Sequence, residues 1–117
     1  MGKPVVHFDI GCKNLETVTE FYCKLFDWSS SENGSLSQHI STNGGKGIDG
    51  AITSLGHEPH NYVMMYMEVE DVAEYVKKTE DLGGKMLIPP TDVPEQGQFA
   101  WMTDPEGNMF GLWKPLK

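Results

Sequence analysis

The sequence predicts an α+β fold built from two βαβββ units, and three observations carry that expectation. The chain matches itself at a shift of 57 residues: Leu15 falls on Val72, Ile10 on Met67, Cys12 on Val69, Asn14 on Asp71 and Leu25 on Leu82, apolar on apolar and cap on cap. Each half begins with a strand-like run followed by an amphipathic helical stripe. The chain then closes on an apolar hairpin around Asp104-Pro105-Glu106-Gly107-Asn108. The period is longer than that of solenoid repeats, and neither unit alone can bury both its helix and its sheet. The expected organisation is one domain over residues 1–117, with unit one at about 1–56 and unit two at about 61–117.

Val5 to Cys12 alternates as a strand, with Val5, His7 and Asp9 on one face and Val6, Phe8 and Ile10 on the other. Asn14 is a helix N-cap candidate. Leu15, Val18, Phe21, Tyr22, Leu25 and Phe26 then recur at helical spacing, and Asp27-Trp28 ends the stripe. Ser29 to Ser35 is polar and reads as a turn. Leu36 to Thr42 reads as a short strand broken by Gly44-Gly45, and Ile48 to Leu55 as another, interrupted by Gly50. A linker, Gly56 to Asn61, leads to the second copy. There Tyr62 to Val69 is a strand, Asp71 a cap, and Val72, Tyr75, Val76, Thr79 and Leu82 a helical stripe stopped by Gly83-Gly84. Lys85 to Ile88 is a strand that Pro89-Pro90 is expected to stop, with Thr91 to Gln98 as a loop.

In the closing hairpin, Pro105 suits the second position of a tight turn and Gly107 supplies a positive φ. Pairing Thr103 with Met109 puts Trp101 opposite Gly111 and Phe99 opposite Trp113. One face then carries Phe99, Trp101, Met109, Gly111 and Trp113, with the glycine leaving an opening among large side chains. A hairpin this apolar on both faces needs a helix layer on one and a cavity on the other.

The net charge of −8 argues against nucleic acid and acidic membrane surfaces as partners. No apolar run approaches the roughly 18 residues of a membrane span. The first residues lack the apolar core of a signal peptide. Two cysteines, Cys12 and Cys23, do not make a disulfide framework, so reduced thiols in the cytoplasm are expected. Neither has an evident cationic neighbour to activate it. No nucleophile elbow, P-loop or dinucleotide fingerprint is present.

The order HFDI…NLETVTEFYCKLFDW, then VEDVAEYVKKTEDLGGKMLIPP…FAWMTDPEGNMFGLW, resembles the vicinal oxygen chelate superfamily, which includes glyoxalase I, bleomycin-resistance proteins and extradiol dioxygenases. The resemblance covers essentially the whole chain. It implies a mainly antiparallel sheet curved around a trough, with both helices outside. It also implies metal ligands on the first and last strand of each unit in the enzymes. His7 falls at the first-strand position and Met64 at its counterpart in unit two. Gly111 falls at the last-strand carboxylate position of unit two. The remaining ligand belongs among Asp49, Gly50, Ala51 and Ile52, where Asp49 alone can bind metal.

One secure donor does not hold an ion, so the resemblance implies a small-molecule binding protein without a metal cofactor. Its ligand would lie in the trough, and it would be a homodimer. The alternative is a metal-dependent lyase, isomerase or dioxygenase using His7. The expected ligand-facing residues are His7, Asp9, Met64 and Tyr66 from the first strands and Phe99, Trp101, Met109, Gly111 and Trp113 from the hairpin. His7 also suits a general base, or a pocket residue bonded to Asp9. His57-Glu58-Pro59-His60 resembles a metal cluster, but Pro59 prevents the helix such a site needs, so a hydrated linker is expected.

Overall fold

The computed structural model describes residues 2–56 and 58–116. The strands and helices are β1 (Val5–Gly11), α1 (Leu15–Phe26), β2 (Ser29–Glu32), β3 (Ser37–Ser41), β4 (Gly50–Thr53), β5 (Tyr62–Glu68), α2 (Val72–Asp81), β6 (Lys85–Val93), β7 (Gly97–Thr103) and β8 (Met109–Pro115). The order is βαβββ twice, as the repeat predicts, and a shift of 57 residues carries β1 onto β5 end to end. Two compact units result. The first is His7–Met64; the second is Met1–Val6 with Met65–Lys117. No helix among the described residues is long and apolar enough to cross a membrane.

In the first unit, β2 pairs antiparallel with β3, β3 antiparallel with β4, and β4 parallel with β1. Asn14 caps α1, its Oδ1 accepting the Thr17 amide at 3.0 Å, which satisfies one of the donors a helix start leaves unpaired. The core joins Ile10, Cys12, Ile40 and Ile52, with Leu15, Val18 and Tyr22 of α1 packed against them. Full burial of side chains such as Ile40 and Ile52 stabilises by about 1.5–3 kcal/mol each. The α1 stripe is wider than its core requires: Phe21, Leu25 and Phe26 are each more than half exposed.

In the second unit, β5 pairs parallel with β8, β8 antiparallel with β7, and β7 antiparallel with β6. Asp71 caps α2 by accepting the Glu74 amide at 3.1 Å. Gly83, at φ 103°, lets the chain turn out of the helix. The core is Val69, Val72, Val76, Ala100, Met102 and Leu112. Ala100, Met102 and Leu112 therefore face α2, and the face with Trp101 points away from it.

Two expectations fail here. Ser29 to Ser35 is not all turn: Ser29–Glu32 forms β2, paired from Ser29↔Ser41 to Glu32↔Gln38. Every residue of β2 is exposed, so no apolar alternation marks it, and a short polar strand is how proteins protect a sheet edge. Nor do Pro89-Pro90 end β6. The ladder slips between Met86 and Ile88 and again between Ile88 and Thr91, then resumes at Thr91↔Phe99. Proline lacks the amide a ladder needs, and a bulged strand paired on one side accommodates it. The predicted loop shrinks to a turn in which Gln96 donates to the Val93 carbonyl at 2.9 Å.

Candidate functional site

The hairpin register is the one the sequence predicts: Phe99↔Trp113, Trp101↔Gly111 and Thr103↔Met109. On the other side of β8, Tyr66 pairs with Gly111. Tyr66, Gly111 and Trp101 thus form a transverse row on the face opposite α2. The opening expected at Gly111 does not exist, because the Tyr66 ring lies across the glycine and a Cβ there would collide with its ring carbons. Trp101 Nε1 donates to the Tyr66 hydroxyl at 2.8 Å and holds the ring in place. Tyr66 and Trp101 are buried, whereas Phe99, Met109 and Trp113 stay partly exposed. The Trp113 ring in turn lies over Gly97, 2.9 Å from where a Cβ would stand. Here glycines paired with aromatic rings flatten the sheet face into an apolar surface.

The first unit builds a different face. His7 and Asp9 alternate onto the side of β1 away from α1, and His7 Nε2 meets Asp9 Oδ1 at 3.1 Å. The Asp9 side chain is 9% exposed and the His7 ring 35%. Asp9 stands beside Ala51, and Ala51 beside His39 and then Ser31, so one row carries a carboxylate, a methyl, an imidazole and a hydroxyl. Sequence reasoning missed His39. Its signal was the alternation of Ser37, His39 and Ser41 with Gln38 and the core residue Ile40. At the end of the strand the Tyr62 ring covers Gly11, and its hydroxyl bonds Thr53 Oγ1 at 2.8 Å. Burial pushes the Tyr62 phenol above its ordinary range. The negative charges of Asp9 and of an ionised Cys12 add to the rise, while the Thr53 bond opposes it. Burial also pushes the Cys12 thiol up, and Cys12 Sγ donates to the Thr53 carbonyl at 3.4 Å. Cys12 is thus an inert core thiol. Met64 is 3% exposed.

The donor set does not fit a divalent metal. The parallel registers make Ala51 the counterpart of Gly111, since Asp9↔Ala51 in one unit repeats as Tyr66↔Gly111 in the other. Neither last-strand position offers a donor side chain. Asp49 closes its own loop, with Oδ1 accepting the Thr42 amide at 3.0 Å and the Thr42 hydroxyl at 3.2 Å. Among the described residues no three His, Cys, Asp or Glu side chains converge as a metal site needs. His57 lies outside the described residues, and His60 pairs with Glu58 at 3.1 Å.

The family profile of the Glyoxalase/Bleomycin resistance protein/Dioxygenase superfamily matches residues 5–112. CFP32 of Mycobacterium tuberculosis, provisionally assigned as a glyoxylase, is 26% identical over 113 residues, covering 91% of this chain and 43% of that protein. The anthracycline biosynthesis protein DnrV of Streptomyces peucetius is 25% identical over 124 residues, covering 92% and 45%. The chain therefore spans less than half the length of these relatives. A superfamily member from Vibrio splendidus shares the fold, with a TM-score of 0.66 at 11% identity over 98% of this chain and 100% of that one.

Proposed function

The chain belongs to the Glyoxalase/Bleomycin resistance protein/Dioxygenase superfamily, and on that premise we propose that it is a metal-independent binding protein for a small, planar, mostly apolar organic molecule. One observation carries the proposal: Gly111 stands where the resemblance expects a metal-binding carboxylate, and the Tyr66 ring, held by Trp101 Nε1, occupies the space beside it. That substitution exchanges charge for aromatic surface. The ligand would rest on the partly exposed Phe99, Met109 and Trp113, with Tyr66 and Trp101 as the rigid layer beneath. A relative named for anthracycline biosynthesis makes a planar polycyclic aromatic probe the first choice.

The protein would work in the cytoplasm as a homodimer. Both its cysteines are free thiols. An enzymatic reading on His7 retains one supporting observation, the Asp9 carboxylate that orients the imidazole.

The test is titration calorimetry with an anthraquinone probe, before and after dialysis against a chelator, with elemental analysis of the purified protein. Equal affinity in both states, and roughly tenfold weaker binding by Trp113→Ala, is the expected result. About one ion per chain, or binding lost with the chelator, sinks the proposal and favours the metal-dependent enzyme.

A further inference from the structure

Between α1 and the edge strands β2 and β3 lies a cleft of about 440 Å³, wholly within the first unit. Neither the core nor the proposed ligand face uses it. Glu16, Thr19, Glu20 and Cys23 line it from α1 at positions i, i+3, i+4 and i+7, one face of the helix. Ser30 and Gln38 line it from the strands. Ser30 pairs with the core residue Ile40, and Gln38 stands two residues before Ile40 on β3, so both take the face turned to the helix. That face carries a hydroxyl and an amide where a closed core would carry apolar side chains.

Thr19 is the second observation. It is 8% exposed, and its Oγ1 has no hydrogen-bond partner among the described residues. A buried hydroxyl left unpaired destabilises a fold. The 57-residue shift puts Val76 at the same place in α2, a core residue of the same shape without the hydroxyl. Thr79 of α2 shows how a helical threonine ordinarily resolves the problem, with Oγ1 donating to the Tyr75 carbonyl one turn back at 2.7 Å. Thr19 makes no such bond, so its hydroxyl is left for a group entering the cleft. One turn further along the same face stands Cys23, a free and half-buried thiol.

We infer that Cys23 is a site of thiol–disulfide exchange with small aminothiol disulfides, and that the cleft holds the ammonium group of the half that becomes attached. The Cys23 thiolate, its proton passed to solvent, attacks one sulfur of the disulfide. A bond from Cys23 Sγ to that sulfur forms, the original S–S bond breaks, and the departing thiolate takes up a proton. One disulfide replaces another, so no further oxidant is consumed. Side chains one turn apart on a helix are about 5–6 Å apart at Cβ, a gap that a two-carbon spacer between sulfur and nitrogen spans. The ammonium then donates to Thr19 Oγ1 and to the Glu20 carboxylate, with Glu16 one turn beyond. Glu20 also pairs with Lys24 at 3.3 Å, but both side chains are largely exposed, and an incoming cation competes with so weak a pair. Cys12 does not compete, being 2% exposed and bonded to the Thr53 carbonyl.

Intact-mass kinetics of the whole chain test the inference with three disulfides of matched length: cystamine, which is cationic, hydroxyethyl disulfide, which is neutral, and dithiodipropionate, which is anionic. Each rate constant is divided by that of a free N-acetylcysteine amide, and Cys23→Ser identifies the thiol modified. Cystamine should be preferred to the neutral reagent by about tenfold and the anionic one disfavoured, with the preference shrinking in about 1 M salt. Glu20→Gln should lower the preference about threefold. Thr19→Val, which copies α2, should lower it about fivefold and leave alkylation of Cys23 by iodoacetamide unchanged, because the thiol stays equally open. Far-UV circular dichroism confirms that each variant folds; should Thr19→Val not fold, Glu20→Gln at the exposed rim decides. A charge order no different from that of the free thiol, a cystamine adduct on Cys12, or a preference that a folded Thr19→Val leaves intact overturns the inference. The proposed ligand face belongs to the second unit and is tested separately.

Discussion

The two units have the same element order and the same parallel register, yet the strand face turned away from each unit's own helix differs in chemistry. In the first unit Phe8, Tyr22 and Trp28 pack on the helix side around Ile10, Ile40 and Ile52, and the far face is polar, with His7, Asp9 and His39. In the second unit the helix side is built on Val72, Val76, Met102 and Leu112, with Tyr75 and Phe110 packed against them. Its far face carries Tyr66, Phe99, Trp101 and Trp113. Position for position, Asp9 beside Ala51 becomes Tyr66 across Gly111. A duplicated backbone keeps what its hydrogen bonds and apolar periodicity demand, while the face that needs no helix is free to change chemistry. A carboxylate beside a methyl can hold an imidazole, and a phenol across a glycine makes an apolar wall.

Substitutions in the two units test this difference. The largest expected effects lie where the units agree. Ile52→Ala and Met102→Ala each empty a fully buried site, one per unit, and each should lower stability by about 2–5 kcal/mol in urea unfolding. A clearly smaller cost in one unit would show that its core is less tightly packed. Next come the positions where the units differ. Gly111→Ala drives a methyl into the Tyr66 ring and should cost about 1–3 kcal/mol, with Tyr66→Ala relieving the collision. The reciprocal change Ala51→Gly meets no ring and should cost about 1 kcal/mol. Equal costs at the two positions would contradict the account of Gly111. The caps return to agreement: Asn14→Ala and Asp71→Ala should each cost about 1 kcal/mol by thermal or urea unfolding.

The smallest effects are in pH dependence, and here the units separate again. Tyr62 in the first unit has its pKa raised above 10.0. Its contribution is fully present below 10.0 and declines as pH rises through the folded value, because the native state keeps a proton the unfolded chain has released. Tyr62→Phe should make the alkaline decline in melting temperature shallower between about pH 9 and about pH 11. Asp104 in the second unit is the opposite case. Bonds from Asn108, with further amides at Glu106 and Gly107, hold it below 3.8. That contribution is present above 3.8 and fades as pH falls through the folded value, so Asp104→Asn should flatten the acid limb and leave the alkaline limb unchanged.

What could be read in the amino-acid order was local or periodic. The caps at Asn14 and Asp71, the helical stripes, the hairpin register about Asp104–Asn108 and the 57-residue repeat each depend on residues a few positions apart or on a pattern the chain states twice. The class, α+β with two βαβββ units, follows from them, and the resemblance to the family rests on the same stretches. β2, three serines and a glutamate, carried no apolar signal, and two prolines masked the length of β6, because edge strands are set by the neighbour they pair with. Tertiary structure alone decided the face at Gly111. The glycine promised space, but whether space remains depends on which residue the parallel partner strand brings alongside, and β5 brings Tyr66 from 45 residues away. His39 became visible for the same reason, since it joins Asp9 through pairings across β3, β4 and β1. Side-chain alternation says which face a residue takes. Strand register says what stands next to it there, and register is a long-range property of the folded chain.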